Sequence, residues 1–118
     1  MATSGGGEFE TSMRLSGPQS ITAVTSGTAQ TLYTVPASKK TKLKHIQVAN
    51  TGVLARDFTL SIGADAAGTR LFSSVSVARD SVLDWQGEVV LNAGETIRAF
   101  ASAAGDLTIT TNGSEIPL

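Results

Sequence analysis

The chain has 118 residues, no cysteine and a formal net charge of −1 at pH 7. That length is one domain's, long enough to bury a core without staples. The missing cysteine removes disulfides, thiolate metal sites and thiol catalysis together, and the balanced charge lacks the basic excess of a nucleic-acid binder. No stretch approaches the ~18 apolar residues of a membrane-spanning helix, and the opening MATSGGGEFET has neither a basic n-region nor an apolar h-region. The expectation is therefore a soluble protein, made in a reducing cytoplasm, with neither nucleic acid nor membrane as a partner. Only 16% of residues are charged, while Gly, Ser, Thr and Ala abound. Such a surface suits cover by neighbouring subunits as well as by water.

Met1–Gly17 holds three consecutive glycines, and its apolar residues Phe9, Met13 and Leu15 keep no period. It reads as an arm, residues 1–17, ahead of a β-domain over 18–118. The arm is either free in solution or laid along another subunit with Phe9, Met13 and Leu15 as anchors. Ser20–Thr25 and Ala29–Val35 are β-rich runs about a reversal at Ser26-Gly27-Thr28, so a hairpin or bent strand pair is expected. Pro36 ends the second run for want of an N–H.

Lys40–Asn50 is the next strand, and its alternation slips. Leu43 lies on one parity, Ile46 and Val48 on the other, so one extra residue near Lys44-His45 is needed to bring all three to one face. That predicts a β-bulge. Lys39, Lys40, Lys42 and Lys44 then fringe the polar side, either as solvated guards against edge pairing or as contacts for an acidic partner. After a turn at Asn50-Thr51-Gly52, Asp57–Ile62 alternates cleanly, with Phe58, Leu60 and Ile62 inward. Thr69–Val77 reads as one irregular strand or two short ones, and Val82–Trp85 as another. Glu88–Thr111 reads as three consecutive strands of one antiparallel sheet. Val89 and Leu91, then Ile97, Ala99 and Ala101, then Leu107, Ile109 and Thr111 recur at alternate positions. Gly94 and Gly105 supply the positive φ that the two reversals demand. The fold expected is all-β: an antiparallel β-sandwich or jelly roll of about eight strands with an extended N-terminal arm.

Little here points to chemistry. His45 is the single histidine, and no G-x-S-x-G presents a nucleophile. Zinc wants three or four ligands, which one histidine does not supply within one chain, although a symmetric oligomer could gather three copies on its axis. Asp80, Asp84 and Glu88 recur at every fourth position, a set that calcium could use or that simply flanks a turn. Trp85, Tyr33 and Phe100 offer either a sugar-stacking platform or core packing. No catalytic residue, cofactor or metal is expected, and the chain reads as a non-enzyme.

The segments TLYTVPASKKTKLKHIQVANTG (31–52) and LNAGETIRAFASAAGDLTIT (91–110) resemble a family of small bacteriophage virion proteins. Members share a Leu-Tyr-x-x-Pro-Ala strand opening, an I-x-V-x-N-T strand end and an L-x-A-G-[DE]-x-I-x-[AV] hairpin. The resemblance covers roughly residues 20–111 and rests on turn and core signatures, which specify fold better than role. It implies a virion structural protein made in the host bacterial cytoplasm, often trimeric. The implied role is a capsid decoration (cement) protein that stabilises the assembled head, with the major capsid protein or another virion protein as partner. A tail, neck or fibre component, or a receptor- or carbohydrate-binding module, is the alternative. The chain lacks the Gly-rich or helical stalk of longer fibre members.

Overall fold

The computed structural model describes residues 11–118. Eight strands follow one another: β1 (Thr11–Ser20), β2 (Gln30–Thr34), β3 (Lys39–Asn50), β4 (Arg56–Ile62), β5 (Arg70–Val77), β6 (Val82–Leu91), β7 (Thr96–Ala101) and β8 (Leu107–Pro117). Two single 3-10 turns, Ser26–Thr28 and Ala67–Thr69, are the helical elements among the described residues. One sheet has the order β1-β8-β3-β6 and the other β2-β7-β4-β5. Every neighbouring pair is antiparallel. Eight strands interleaved between two four-stranded sheets in this order form a jelly roll.

The interleaving corrects two expectations. β6, β7 and β8 are consecutive but do not share one sheet, since β7 lies in the second sheet while β6 and β8 flank β3 in the first. Gly94 and Gly105 do take positive φ, at 82° and 86°, but their reversals carry the chain across the core rather than along a hairpin. Likewise 20–25 and 29–35 form no hairpin. Ile21 N donates to Leu107 O of the first sheet at 2.8 Å, and Ala23 O accepts from Ala101 N of the second at 2.9 Å. The segment is the bridge from one sheet to the other.

The arm is also revised. From Thr11 on, the residues expected to be an arm are strand β1, paired with β8 from Thr11↔Glu115 to Ser20↔Thr108. Alternation failed as a signal because β1 shifts register twice, between Arg14 and Ser16 and between Ser16 and Gln19. Phe9 lies outside the described residues.

The bulge in β3 stands where the slipped alternation put it. Leu43 pairs with Gly113 and His45 with Asn112, leaving Lys44 as the extra residue against β8. Thr41 and Leu43 before it, and Ile46, Val48 and Asn50 after it, therefore all face inward and are buried. A strand without the bulge would turn Ile46 and Val48 to the outside. These residues meet Ile21, Phe58, Leu60, Leu91, Ile97, Leu107 and Ile109 in one core, each large side chain contributing about 1.5–3 kcal/mol on full burial. β5 is one strand with two register shifts against β4, and left-handed Ser74, φ 49°, lies at one of them.

Two polar clusters complete the packing. Tyr33 of β2 donates its hydroxyl proton to Glu115 and lies 2.9 Å from Thr41 Oγ1, joining the second sheet to the first. Asp65, after β4, accepts from Ser26, Ser61 and Arg70. No buried side-chain nitrogen or oxygen among the described residues lacks a partner.

Candidate partner-binding face

The outer faces of the two sheets differ. On the second sheet, Thr59 and Ser61 have outward parity yet are only 2% and 1% exposed, because Asp65 lies against Ser61 and the irregular turn of β5 at Ser74 lies against Thr59. Ser61 Oγ donates to Asp65, and Ser74 N donates to Thr59 Oγ1 at 3.0 Å. Phe100 on that face lies beneath the Arg70 guanidinium, 6.0 Å from the ring centroid. Among the described residues no such cover lies over the first sheet: Gln47 on β3 and Asp84 and Gln86 on the edge strand β6 are exposed.

This open face holds most of the residues singled out in the sequence. Lys40 and Lys42 alternate with the buried Thr41 and Leu43, so they project outward, and Lys44 joins them through the bulge. Arg14 on β1 is exposed opposite Asn112. The lysines do not guard an edge as one reading had it, because β3 is an interior strand between β8 and β6. They are half-buried.

Between β1 and β3, above β8, lies a hollow of about 420 Å³ lined by Ser12, Met13, Lys44, His45, Asn112 and Gly113. Its shape follows from the bulges. β1 carries an extra residue at Leu15 and β3 at Lys44, on either side of β8 at Asn112–Gly113. Met13, 39% exposed, stands at the rim. Leu15 does not: it packs on the chain's own core and is no free anchor, because the β1–β8 pairing draws it inward. The structure thus brings Met13 and Lys44 together at the hollow, while Leu15 packs on the core.

His45 organises the floor. Asn112 Nδ2 donates to His45 Nδ1 at 2.9 Å, which leaves the proton on Nε2, donated to Asp84 Oδ1. One imidazole ties β8, β3 and β6 together, and with both nitrogens engaged neither is turned to Ser12 or to a metal. Asp80 ion-pairs with Arg79 in a turn while Asp84 bonds His45, so the fourfold spacing gathers no carboxylate cluster. Among the described residues no three His, Asp or Glu side chains converge. Sequence reading missed Asn112 and Asp84 as partners of His45. They lie 67 and 39 residues away, and no local pattern announces contacts that only sheet topology creates.

The aromatics do not share a face. Trp85 meets Phe72 edge-on with centroids 6.0 Å apart, and Phe72 meets Phe58 at 5.3 Å, so Trp85 belongs to the core margin. Tyr33 is committed to Glu115 and Thr41, and Phe100 lies on the opposite outer face.

No family model matches the chain, and no curated protein matches it. Among solved structures the chain is similar to one described as the structure of infectious bursal disease virus, Gt strain. The identity is 10%, the TM-score is 0.33, and the match covers 90% of this chain and 32% of the other. The chain thus spans about a third of that chain's length, and a likeness at this level carries no argument about function.

Proposed function

We propose that this protein is a bacteriophage virion structural protein, a capsid decoration protein that binds the assembled head as a homotrimer and stabilises it. The observation that carries the reading is the contrast between the two outer faces. Among the described residues, Asp65 and Ser74 bury Ser61 and Thr59 on the outer face of the second sheet, whereas that of the first sheet carries Arg14, Lys40, Lys42 and Lys44 and a hollow lined by Met13 and Lys44. The resemblance of 31–52 and 91–110 to small phage virion proteins supplies the class of partner. A jelly roll serves capsid, lectin and cupin proteins alike, so the fold does not choose among them.

In this reading the open face docks on an acidic patch of the major capsid protein. Each cation contributes modestly and is weakened by salt. Three linked copies engaging neighbouring capsomers raise the effective concentration of every contact, and weak single contacts then hold together.

The test is co-sedimentation of the purified chain with protein-only expanded heads, with whole virions lacking it, and with host cells. Binding to heads, reduced by Lys42→Glu with Lys44→Glu and by raised salt, is expected. Binding to tails or fibres alone would move the protein along the virion, and binding to host-cell glycans without heads would make it a receptor module.

A further inference from the structure

Among the described residues the first sheet ends in β1 on one side and β6 on the other, each ten residues long. An edge strand turns a row of backbone N–H and C=O groups outward, and a further strand can pair with them. The second sheet guards its edges. β2 has only five residues, and β5 breaks register with β4 twice and turns left-handed at Ser74. β6 carries neither lysine nor proline to oppose pairing, and it leaves Val82 53% and Val90 47% exposed.

β1 and β6 fit one another. Along the order β1-β8-β3-β6 each strand is antiparallel to the next, so β6 runs opposite to β1. A second copy set edge to edge in the same orientation therefore continues the antiparallel sheet. The registers agree as well. Arg14, Asn112, His45 and Gln86 form one row across the sheet, Met13, Gly113, Leu43 and Val89 a second, and Ser12, Ser114, Lys42 and Val90 a third. Carried straight on, these rows set Arg14 of one copy beside Gln86 of the next, Met13 beside Val89 and Ser12 beside Val90.

Charge selects this pairing over its rivals. Arg14 is exposed at one edge, and Asp84, Gln86 and Glu88 at the other. Asp84 and Glu88 stand two residues to either side of Gln86, so both are diagonal neighbours of an arginine on that row, within reach of a long side chain. Among the described residues neither Arg14 nor Glu88 has an ion pair. Two β6 strands paired about Gln86 would instead set Asp84 against Glu88 twice, and like charges placed opposite destabilise a strand pair. Met13, 39% exposed, gains apolar cover from Val89 in the first arrangement.

We infer that copies of this chain join through the two edges of the first sheet, Thr11–Ser16 of one copy lying antiparallel along Trp85–Leu91 of the next. A contact between two different edges closes into a ring where the rotation allows. Three copies close it in the reading above, on which the number of copies rests. Lys40, Lys42 and Lys44 lie on β3, inside the sheet, and stay clear of the contact.

The experiment uses the full chain, free in solution. The wild type should sediment as a trimer. Arg14→Glu and Glu88→Arg should each raise the dissociation constant about tenfold or more, and the two together should return it toward the wild-type value. The chain has no cysteine, so Ser12→Cys combined with Val90→Cys reads the register. Within one chain those positions are three strand spacings apart, about 14 Å, beyond the span of a disulfide. Oxidation should therefore give a covalent ladder that ends at three copies, and neither single cysteine variant should cross-link.

A monomeric wild type overturns the inference and leaves head binding to be decided by co-sedimentation. A trimer indifferent to both charge variants overturns it by placing the contact elsewhere, and a disulfide dimer of Val90→Cys alone overturns it by pairing β6 with itself. A wild-type trimer that responds to the charge variants but binds no heads removes the lattice reading and leaves this contact standing.

Discussion

Arg70 grips Asp65 through two parallel hydrogen bonds, Nε to Oδ1 at 3.0 Å and Nη2 to Oδ2 at 2.9 Å. The Asp65 side chain is 1% exposed. The Arg70 guanidinium, with the Ser26 and Ser61 hydroxyls, holds its carboxyl well below the usual carboxylate range. A carboxyl depressed in the folded state stabilises the fold fully above its unfolded pKa, near 4, and the contribution is lost as pH falls toward the folded value. The melting temperature of the wild type should therefore drop steeply below about pH 4. Asp65→Asn should start lower at pH 7 and show a flatter acid limb. Parallel acid limbs for the two proteins would refute this role for Asp65.

The opposite pH limb belongs to Tyr33. Burial, and then the hydrogen bond to Glu115, push its phenol up to about 12 from 10.0. The folded state keeps this proton longer than the unfolded chain does, so stability is complete below pH 10 and falls as pH rises toward 12. Tyr33→Phe should be less stable at neutral pH, with a shallower alkaline decline. Thermal melts at pH 8 through 11.5 check it, and an equally steep decline in the variant would contradict it.

Gly113 has no room for a side chain. A Cβ there would stand inside the Lys42 carbonyl oxygen and against Leu15 Cδ1, whereas a Cβ at Gly27 meets nothing within 4 Å. Gly113→Ala must part β8 from β3 beneath the hollow and should cost about 1–3 kcal/mol. Gly27→Ala should change stability by less than about 0.5 kcal/mol. Denaturant titration distinguishes them, and equal midpoints would show that the two strands yield there freely.

A chain beginning at Pro18 should be less stable than the full chain. It would lose the Thr11–Ser16 pairing with β8, the 2.5 Å Ser16–Thr111 hydrogen bond and Leu15 from the core margin. An unchanged melting temperature would return 11–17 to the status of a dispensable arm.

The residues explain what was legible beforehand. Strands with one buried face wrote their parity into Ile97-Ala99-Ala101 and Leu107-Ile109-Thr111, and even the bulge was readable, because Leu43 against Ile46 and Val48 admits one extra residue and no other simple repair. The sheet to which each strand belongs was not, since Gly94 and Gly105 mark a reversal whether the chain pairs with its neighbour or crosses the core. β1 stayed hidden because two register shifts erased its alternation. The hollow was equally hidden: Met13, Lys44 and Asn112 meet only when β8 lies between β1 and β3.

The central claim is that the open face of the first sheet is the one that meets the lattice, and amine footprinting tests it most directly. Rates of acylation at Lys39, Lys40, Lys42 and Lys44 would be measured by mass spectrometry in the free chain and on heads. Docking through this face predicts strong protection of Lys40, Lys42 and Lys44 on heads, reversed by salt that releases the protein. Unchanged rates at all three lysines in a chain that remains bound would contradict it.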